Sequence, residues 1–346
     1  MLNHQFLTSL GWNPFFQQQL SLHEWEHYLP ARVTQQHKNS LKVETSEGEI
    51  NLPIMPSMPA ITVGDWLLID TQSAFLRLLE RQNCFKRKAA GVQSAEQLIA
   101  ANIDTAFIVC SLNHDFNLNR IERYLSLIHE TQAEAVVVLT KKDCVDEYTG
   151  QLEQVRQLAP NINVVAINGL KPDCIDLLSP WVRTGKTIVM LGSSGSGKST
   201  LSNQLLKQPI QQTAGIREQD SKGRHITTSR SLFLLPDGGL LIDTPGMREL
   251  QLFDCENGVS ATFADITELA LLCRFSDCQH QQEPGCAVKK AIDSGELEAR
   301  RLKSYQKLHR EQQHNHADLA EKRAKDKQLT QFYAKTQRDA RKNKRG

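Results

Sequence analysis

The sequence predicts a multi-domain protein with a small β-barrel at its N-terminus, a central α/β domain on a mostly parallel sheet, and a C-terminal Cys/His module followed by helices. Three observations carry this. Short β-prone stretches separated by turn signals fill residues 30–90. Apolar strands alternate with stretches of helical spacing from 103 to 243. Three cysteines and a histidine then crowd into residues 273–286, ahead of a long basic run. At 346 residues the chain can bury two or three separate cores, and the expected division is 1–90, 91–262 and 263–346.

Composition narrows the class. Hydrophobic residues at 40% and charged residues at 23% are ordinary for a soluble globular protein. No apolar run approaches the ~18–20 residues needed to span a bilayer, so no membrane partner is expected. The start, "MLNHQFLTSLGWNPF", lacks a basic segment followed by an apolar core. The eight cysteines are mostly scattered singly, which fits a reducing compartment. A cytoplasmic monomer is therefore expected. The net charge of +2 conceals an asymmetry: residues 289–346 hold 17 Lys/Arg against 8 Asp/Glu, leaving about −7 on the rest. A basic end on an acidic body fits a polyanionic partner, and equally a solvated helix.

The first strands are read in "ARVTQQ", "SLKVETSEGEINL" and "DWLLIDTQSAFLRLLE", divided by Glu47-Gly48 and by "PSMPAITVGD". Several short strands in so few residues fit a small barrel, and an oligonucleotide-binding barrel is one candidate. "FKRKAAGVQSAEQLIAANID" reads as a basic, glycine-containing linker to the next core. Central strands follow in "TAFIVCSL", "AEAVVVLT", "INVVAI", "KTIVMLG", "SLFLLP" and "GLLIDTPG", with helices in "LNRIERYLSLIHETQ" and "STLSNQLLKQ". That alternation argues for ligand loops at the carboxyl ends of parallel strands.

The strongest motif is Gly192-Ser193-Ser194-Gly195-Ser196-Gly197-Lys198-Ser199-Thr200, which matches G-x-x-x-x-G-K-[ST] between a strand and a helix. Its glycines let backbone N–H groups curl around phosphate oxygens at a helix N-terminus. Lys198 would reach the β- and γ-phosphates, and the Ser199 hydroxyl would ligate Mg²⁺. A plain Gly/Ser-rich turn would not need that strand and helix around it. Asp243-Thr244-Pro245-Gly246 ends an apolar strand about 45 residues later. There an aspartate holds Mg²⁺, usually through water, and the Gly246 amide senses the γ-phosphate. Asp-x-x-Gly alone is a common turn, but "GRHITTSR" precedes it with threonines for a first switch.

Before all of these stands Thr140-Lys141-Lys142-Asp143, after the strand "VVVLT". The Asp143 carboxylate can accept from guanine N1–H and the 2-amino group together, a donor pair that adenine lacks. Lys141 would lie along the base. Alone the tetrad is no more than a strand-to-helix turn. Together the order of base loop, phosphate loop and Asp-x-x-Gly is that of a circularly permuted GTPase, since re-cutting a domain whose termini lie close preserves its site.

With that order the chain resembles the ribosome small subunit-dependent GTPase A family (RsgA, also called YjeQ) nearly end to end. "VGDWLLID", "RKAAG", "QLIAANID", "SLNHDFNLNRIERYL", "KGRHITT", "IDTPGMREL" and the Cys/His cluster are similar to its segments in order. The resemblance implies an N-terminal oligonucleotide-binding barrel, a central circularly permuted P-loop GTPase with bound GTP or GDP, and a C-terminal zinc domain. It also implies action in late maturation of the small ribosomal subunit, with the subunit and its rRNA as partners. Two segments depart from the family. Its usual His-Thr-Thr-Thr switch is here His225-Ile226-Thr227-Thr228, so Thr228 is the expected second Mg²⁺ ligand and Thr227 its alternative. The second base loop, usually like Val-Ser-Ala before a glycine, offers Asn168-Gly169.

Met247 stands where many GTPases carry the glutamine that orients attacking water, so intrinsic hydrolysis should be slow and accelerated when a partner orders the switches. His225 is a candidate for orienting that water, although a lone switch histidine is as often structural. Cys273-x₄-Cys278-x-His280-x₅-Cys286 supplies three thiolates and one imidazole, the closed shell of a structural Zn²⁺ site. Its polar surroundings argue against a set of buried free thiols. "VKKAIDSGELEARRLKSYQKLHREQQ" reads as one helix or two with basic faces able to neutralise rRNA phosphates. "HNH" at 314–316 shares only letters with nuclease motifs. The competing reading is a nucleic-acid-binding zinc protein whose phosphate loop serves a kinase or ATPase, and Thr140–Asp143 discriminates against it.

Overall fold

The computed structural model describes residues 3–88, 96–113, 115–159, 161–208, 230–243 and 255–313. Three short helices, α1 (His4–Ser9), α2 (Pro14–Gln17) and α3 (Leu22–His27), lead into an antiparallel group of strands. These are β1 (Leu29–Gln36), β2 (Ser40–Thr45), β3 (Gly48–Pro53), β4 (Trp66–Ile69) and β5 (Phe75–Leu78), ordered β3-β2-β1-β4-β5. Leu29, Ala31, Val33, Leu41, Val43, Leu52, Leu67 and Ile69 form a separate apolar core there. No pairing joins β3 to β5 among the described residues, so a closed barrel is not part of the observed fold.

The stretch read as a linker is instead partly a hairpin: β6 (Cys84–Lys88) pairs antiparallel with β7 (Glu96–Ala101). Phe85, Ile99, Ala100 and Ala101 are buried while Lys86 is exposed. The basic outer face hid an apolar inner one.

The central sheet contains β8 (Thr105–Ser111), β9 (Glu134–Thr140), β10 (Asn163–Ala166), β11 (Thr187–Leu191), β12 (Arg230–Leu234) and β13 (Leu240–Asp243). Its order is β10-β9-β8-β11-β13-β12, parallel except for β12. The chain steps outward from β8 to β10, then returns to the middle to lay β11 beside β8. Strands from both halves of the segment thus flank the phosphate-loop strand, the layout a re-cut chain requires. Alternate residues of each strand serve opposite cores: Phe107, Val109, Val136 and Val138 face one, and Ile108, Cys110, Val137 and Leu139 the other. Burial on both faces is why these strands read as unbroken apolar runs.

Helices α4 (Leu118–Thr131), α5 (Thr149–Arg156), α6 (Cys174–Leu178) and α7 (Lys198–Leu206) cover the sheet. Asn117 caps α4 by accepting from the Arg120 N–H at 3.2 Å. Beyond the sheet lie α8 (Glu256–Thr262), α9 (Ala264–Ala270), α10 (Ala287–Asp293) and α11 (299–313), so the basic run forms two helices. Val259, Phe263, Val288, Leu302 and Leu308 join the same apolar core as Ile121, Leu125 and Ile128 of α4. At Gly258 a Cβ would lie 2.0 Å from the Ser126 carbonyl oxygen, so α8 meets α4 at backbone contact. Arg301 fastens the junction. It donates to buried Glu122 at 3.0 Å, to Asp265, and to the carbonyls of Leu158 (3.0 Å) and Thr262 (2.8 Å). At the edge of the central sheet, β1 pairs with β12 through Gln35–Ser231 and Gln36–Arg230, which makes the two sheets continuous.

Candidate functional site

The phosphate loop begins where β11 ends. Gly192 has φ +150°, and a Cβ there would lie 2.2 Å from the Val109 carbonyl oxygen, so glycine alone lets the loop leave between β8 and β11. Gly195 and Gly197 also take positive φ, and α7 starts at Lys198. Such a loop presents the unsatisfied N–H groups of a helix N-terminus to an anion. The Lys198 ammonium folds over the loop and donates to the carbonyls of Gly192 (2.7 Å) and Ser193. Ser194 and Gly195 are exposed at its tip, Ser196 is buried, and Ser199 and Thr200 open the helix half-buried.

The base tetrad sits against this loop. Thr140 ends β9, and its buried Oγ1 donates to the Ser196 carbonyl at 2.6 Å. Two motifs 56 residues apart, in reversed chain order, are therefore bonded into one unit. Lys141 adopts a left-handed conformation (φ +59°), and Lys142 to Cys144 form a 3₁₀ turn carrying Asp143, exposed to solvent. The Lys142 N–H bonds to the Ile167 carbonyl at 3.3 Å, which ties the tetrad to the second base loop. In that loop the Asn168 side chain accepts from the Leu170 N–H at 3.0 Å. A Cβ on Gly169 would lie 3.9 Å from the Thr200 methyl, so this loop adjoins the start of α7.

Asp243 closes β13, one residue beyond the Val189–Ile242 pair, at the carboxyl end of the strand beside β11. His225, Thr227, Thr228, Gly246 and Met247 lie outside the described residues. Asp115 escaped the sequence reading. It accepts from the Ser193 hydroxyl of the phosphate loop and from Arg120 at 2.7 Å. Burial alone would raise its pKa, but these hydrogen bonds outweigh burial and hold the carboxyl below its ordinary value. A carboxylate in the loop after β8, at the ligand end of the sheet, was the available signal.

Cys273, Cys278, His280 and Cys286 come together, with one ligand atom from each within 4.8 Å of all the others. Bonds of ~2.3 Å to sulfur and ~2.0 Å to nitrogen put tetrahedral edges at about 3.8 Å between sulfurs and 3.5 Å between sulfur and nitrogen. The Cys273–Cys286 sulfurs are 3.9 Å apart, and His280 Nδ1 lies 3.6 and 3.5 Å from them. Cys273, His280 and Cys286 thus form one face of a tetrahedral metal site with Nδ1 as the histidine donor, and Cys278, within 4.8 Å of each, supplies the fourth ligand. Cys286 also accepts from the Lys289 N–H at the start of α10 (3.4 Å), which orients its sulfur.

A doubly wound sheet with an antiparallel strand, a glycine-turned phosphate loop and a base loop bonded to it in reversed order defines a P-loop GTPase of permuted connectivity. Comparison with known proteins agrees. Residues 78–253 match the RsgA GTPase family model. The small ribosomal subunit biogenesis GTPase RsgA 2 of Vibrio vulnificus is 55% identical, over 98% of this chain and 97% of its own. The crystal structure of YjeQ from Thermotoga maritima superposes with a TM-score of 0.61 at 25% identity, covering 81% of this chain and 97% of that one. YloQ, described as a circularly permuted GTPase, shares the fold with a TM-score of 0.58 at 21% identity, over 83% and 95% of the two chains. The chain belongs to the RsgA GTPase family, and it is a GTPase.

Proposed function

We propose that this protein hydrolyses GTP while docked on the small ribosomal subunit, late in its maturation, and that the subunit stimulates the reaction. The observation that carries the GTPase part is the Thr140–Ser196 hydrogen bond, which sets a guanine-selective loop against a phosphate loop. The names of its relatives support the ribosomal part.

In this reading Asp143 pairs with the base, Lys141 braces it, and the amides from Gly192 to Thr200 cradle the phosphates. Lys198 exchanges its carbonyl partners for phosphate oxygens, which are stronger acceptors. Ser199, Asp243 and Thr228, with Thr227 the alternative, would hold Mg²⁺, and the Gly246 amide would meet the γ-phosphate. With Met247 unable to bond the attacking water, His225 takes that task once the subunit orders the switches. The four-residue cluster holds a structural Zn²⁺, because its closed shell leaves no position for water. The strands of segment 1–90 serve as an oligonucleotide-binding module, 91–262 as the GTPase and 263–346 as the zinc module with its basic tail. The protein works as a cytoplasmic monomer.

The test is GTP hydrolysis with and without purified small subunits, for the wild type and for Lys198→Ala and Ser199→Ala. Stimulation of the wild type and loss of Mg²⁺-dependent turnover in both variants are expected. Equal rates with and without subunits would refute the ribosomal reading, and unchanged turnover in both variants would refute the phosphate-loop assignment.

A further inference from the structure

The phosphate loop is held from outside by Asp115, which belongs to neither the base tetrad nor the phosphate loop itself. Asp115 lies half-buried between β8 and α4, and its own place is fixed by local bonds. Its N–H donates to Asn113 Oδ1 at 3.2 Å, and the same oxygen accepts from the hydroxyl of Ser111, the buried last residue of β8, at 2.8 Å. One oxygen of the Asp115 carboxylate then accepts from the Ser193 hydroxyl, and the other from Arg120 at 2.7 Å.

Ser193 is the second residue of the phosphate loop, and its carbonyl accepts from both the Lys198 ammonium and the Ser196 hydroxyl, the latter at 3.0 Å. With its hydroxyl tied to Asp115 and its carbonyl bonded to Lys198 and Ser196, Ser193 cannot rotate without breaking one set or the other. Gly195 and Gly197, both at positive φ, give the rest of the loop no side chain to stiffen it. A carboxylate beside a polyphosphate site brings repulsion that a neutral amide acceptor would avoid. What the carboxylate adds is strength, since a hydroxyl donating to an ionised oxygen makes a bond roughly twice as strong as a neutral pair. Arg120, in the first turn of α4, offsets the charge, and Lys141 of the base tetrad adds positive potential at the same carboxylate.

We infer that Asp115 is a positioning residue for nucleotide binding: acting through Ser193, it keeps the empty phosphate loop in its phosphate-accepting shape, while Arg120 keeps its charge off the phosphates. This role rests on residues 192–200 cradling the phosphates, as in the proposed function. A preshaped loop serves GTP, GDP and the transition state alike, so Asp115 supplies uniform binding. It lowers KM and Kd together and leaves the chemical step alone.

The test measures GDP affinity, KM for GTP and the single-turnover hydrolysis rate in the full chain. Ser193→Ala should weaken GDP and raise KM together, about tenfold. Its single-turnover rate at saturating Mg-GTP should stay within about twofold of the wild type. In a chain already carrying Asp115→Ala, the same Ser193→Ala change should alter affinity by less than about twofold, because the bond it removes is gone. Should Asp115→Ala unfold, Asp115→Asn keeps a neutral acceptor in place, and there the Ser193→Ala effect should shrink to about threefold. Arg120→Met, which strands the Asp115 charge, should weaken GDP more in about 50 mM salt than in about 500 mM. A merely structural role would lower the melting temperature without making the effect of Ser193→Ala depend on residue 115. An effect of equal size with and without the Asp115 carboxylate, or none in either, would overturn the inference. So would a single-turnover rate that falls about tenfold while KM holds, and an Arg120→Met defect indifferent to salt would remove Arg120 from the device. Lys198→Ala is run alongside. Turnover lost there while Ser193→Ala is silent defeats the role of Asp115 alone, and turnover kept there defeats the phosphate cradle and this role with it.

Discussion

Arg301→Ala tests how firmly the C-terminal helices are fixed to the GTPase sheet. The Arg301 side chain is 7% exposed and is bonded to the Glu122 and Asp265 carboxylates and to the Leu158 and Thr262 carbonyls. Its guanidinium also lies 4.8 Å from the Phe263 ring centroid. Glu122 is fully buried, and after truncation its charge retains, among the described residues, only Arg300, at 3.1 Å. Removing one partner of such a buried group costs about 3–5 kcal/mol, mostly because the other is stranded. At roughly 2 °C per kcal/mol for a unit of this size, the melting temperature should fall by at least about 5 °C. The assay is thermal unfolding joined to amide hydrogen exchange, where protection should drop first in α8, α9 and α11. Glu122→Leu combined with Arg301→Met should recover much of the loss, since neither charge is then left alone. If Arg301→Ala melted with the wild type and kept its exchange protection, the junction would not depend on this cluster.

Asp143→Asn should weaken GTP by roughly 30-fold or more, about 2–4 kcal/mol, and favour xanthosine triphosphate. Competition binding measures it, and wild-type GTP affinity would show that Asp143 does not read the base. Cys278→Ser should cut bound zinc from one equivalent to near zero by elemental analysis and remove subunit stimulation, while intrinsic hydrolysis changes little; full stimulation in a zinc-free protein would make the cluster a passive staple. His129 donates to or accepts from Thr262 Oγ1 at 3.0 Å across α4 and α8, and burial depresses its pKa. The folded state therefore binds a proton less readily than the unfolded one, and the associated stability, full above about pH 6.5, is lost as pH falls below it. Denaturant melts at several pH values should show that slope flattened in His129→Asn, and an identical slope would assign it to other groups.

The strands of the central sheet were legible because both faces are buried, so β8, β9, β11 and β13 read as apolar runs bounded by turn residues. The phosphate loop and the Cys/His cluster were legible because their chemistry fixes residue type and spacing. The β6–β7 hairpin was not, since "FKRK" advertises charge and only pairing with "EQLIAA" shows that Phe85 turns inward. Asp115 and Ser193 are 78 positions apart, and Glu122 and Arg301 are 179 apart. On their own helices, Glu122 and Arg301 look like ordinary solvated charges. Only the fold turns them into partners.

The pairing of Gln36 with Arg230 imposes an order in time as well as in space. The two residues are 194 positions apart. At about 5–20 residues per second of synthesis, β1 leaves the translating ribosome roughly 10–40 s before its partner strand exists. During that wait the end of β1 is an open edge able to pair with a neighbouring nascent chain. That end reads Thr34-Gln35-Gln36, half-buried and polar, while the apolar part of β1, Leu29 to Val33, has β2 and β4 as partners made within the next 40 residues. The segment exposed longest is thus the one least able to aggregate.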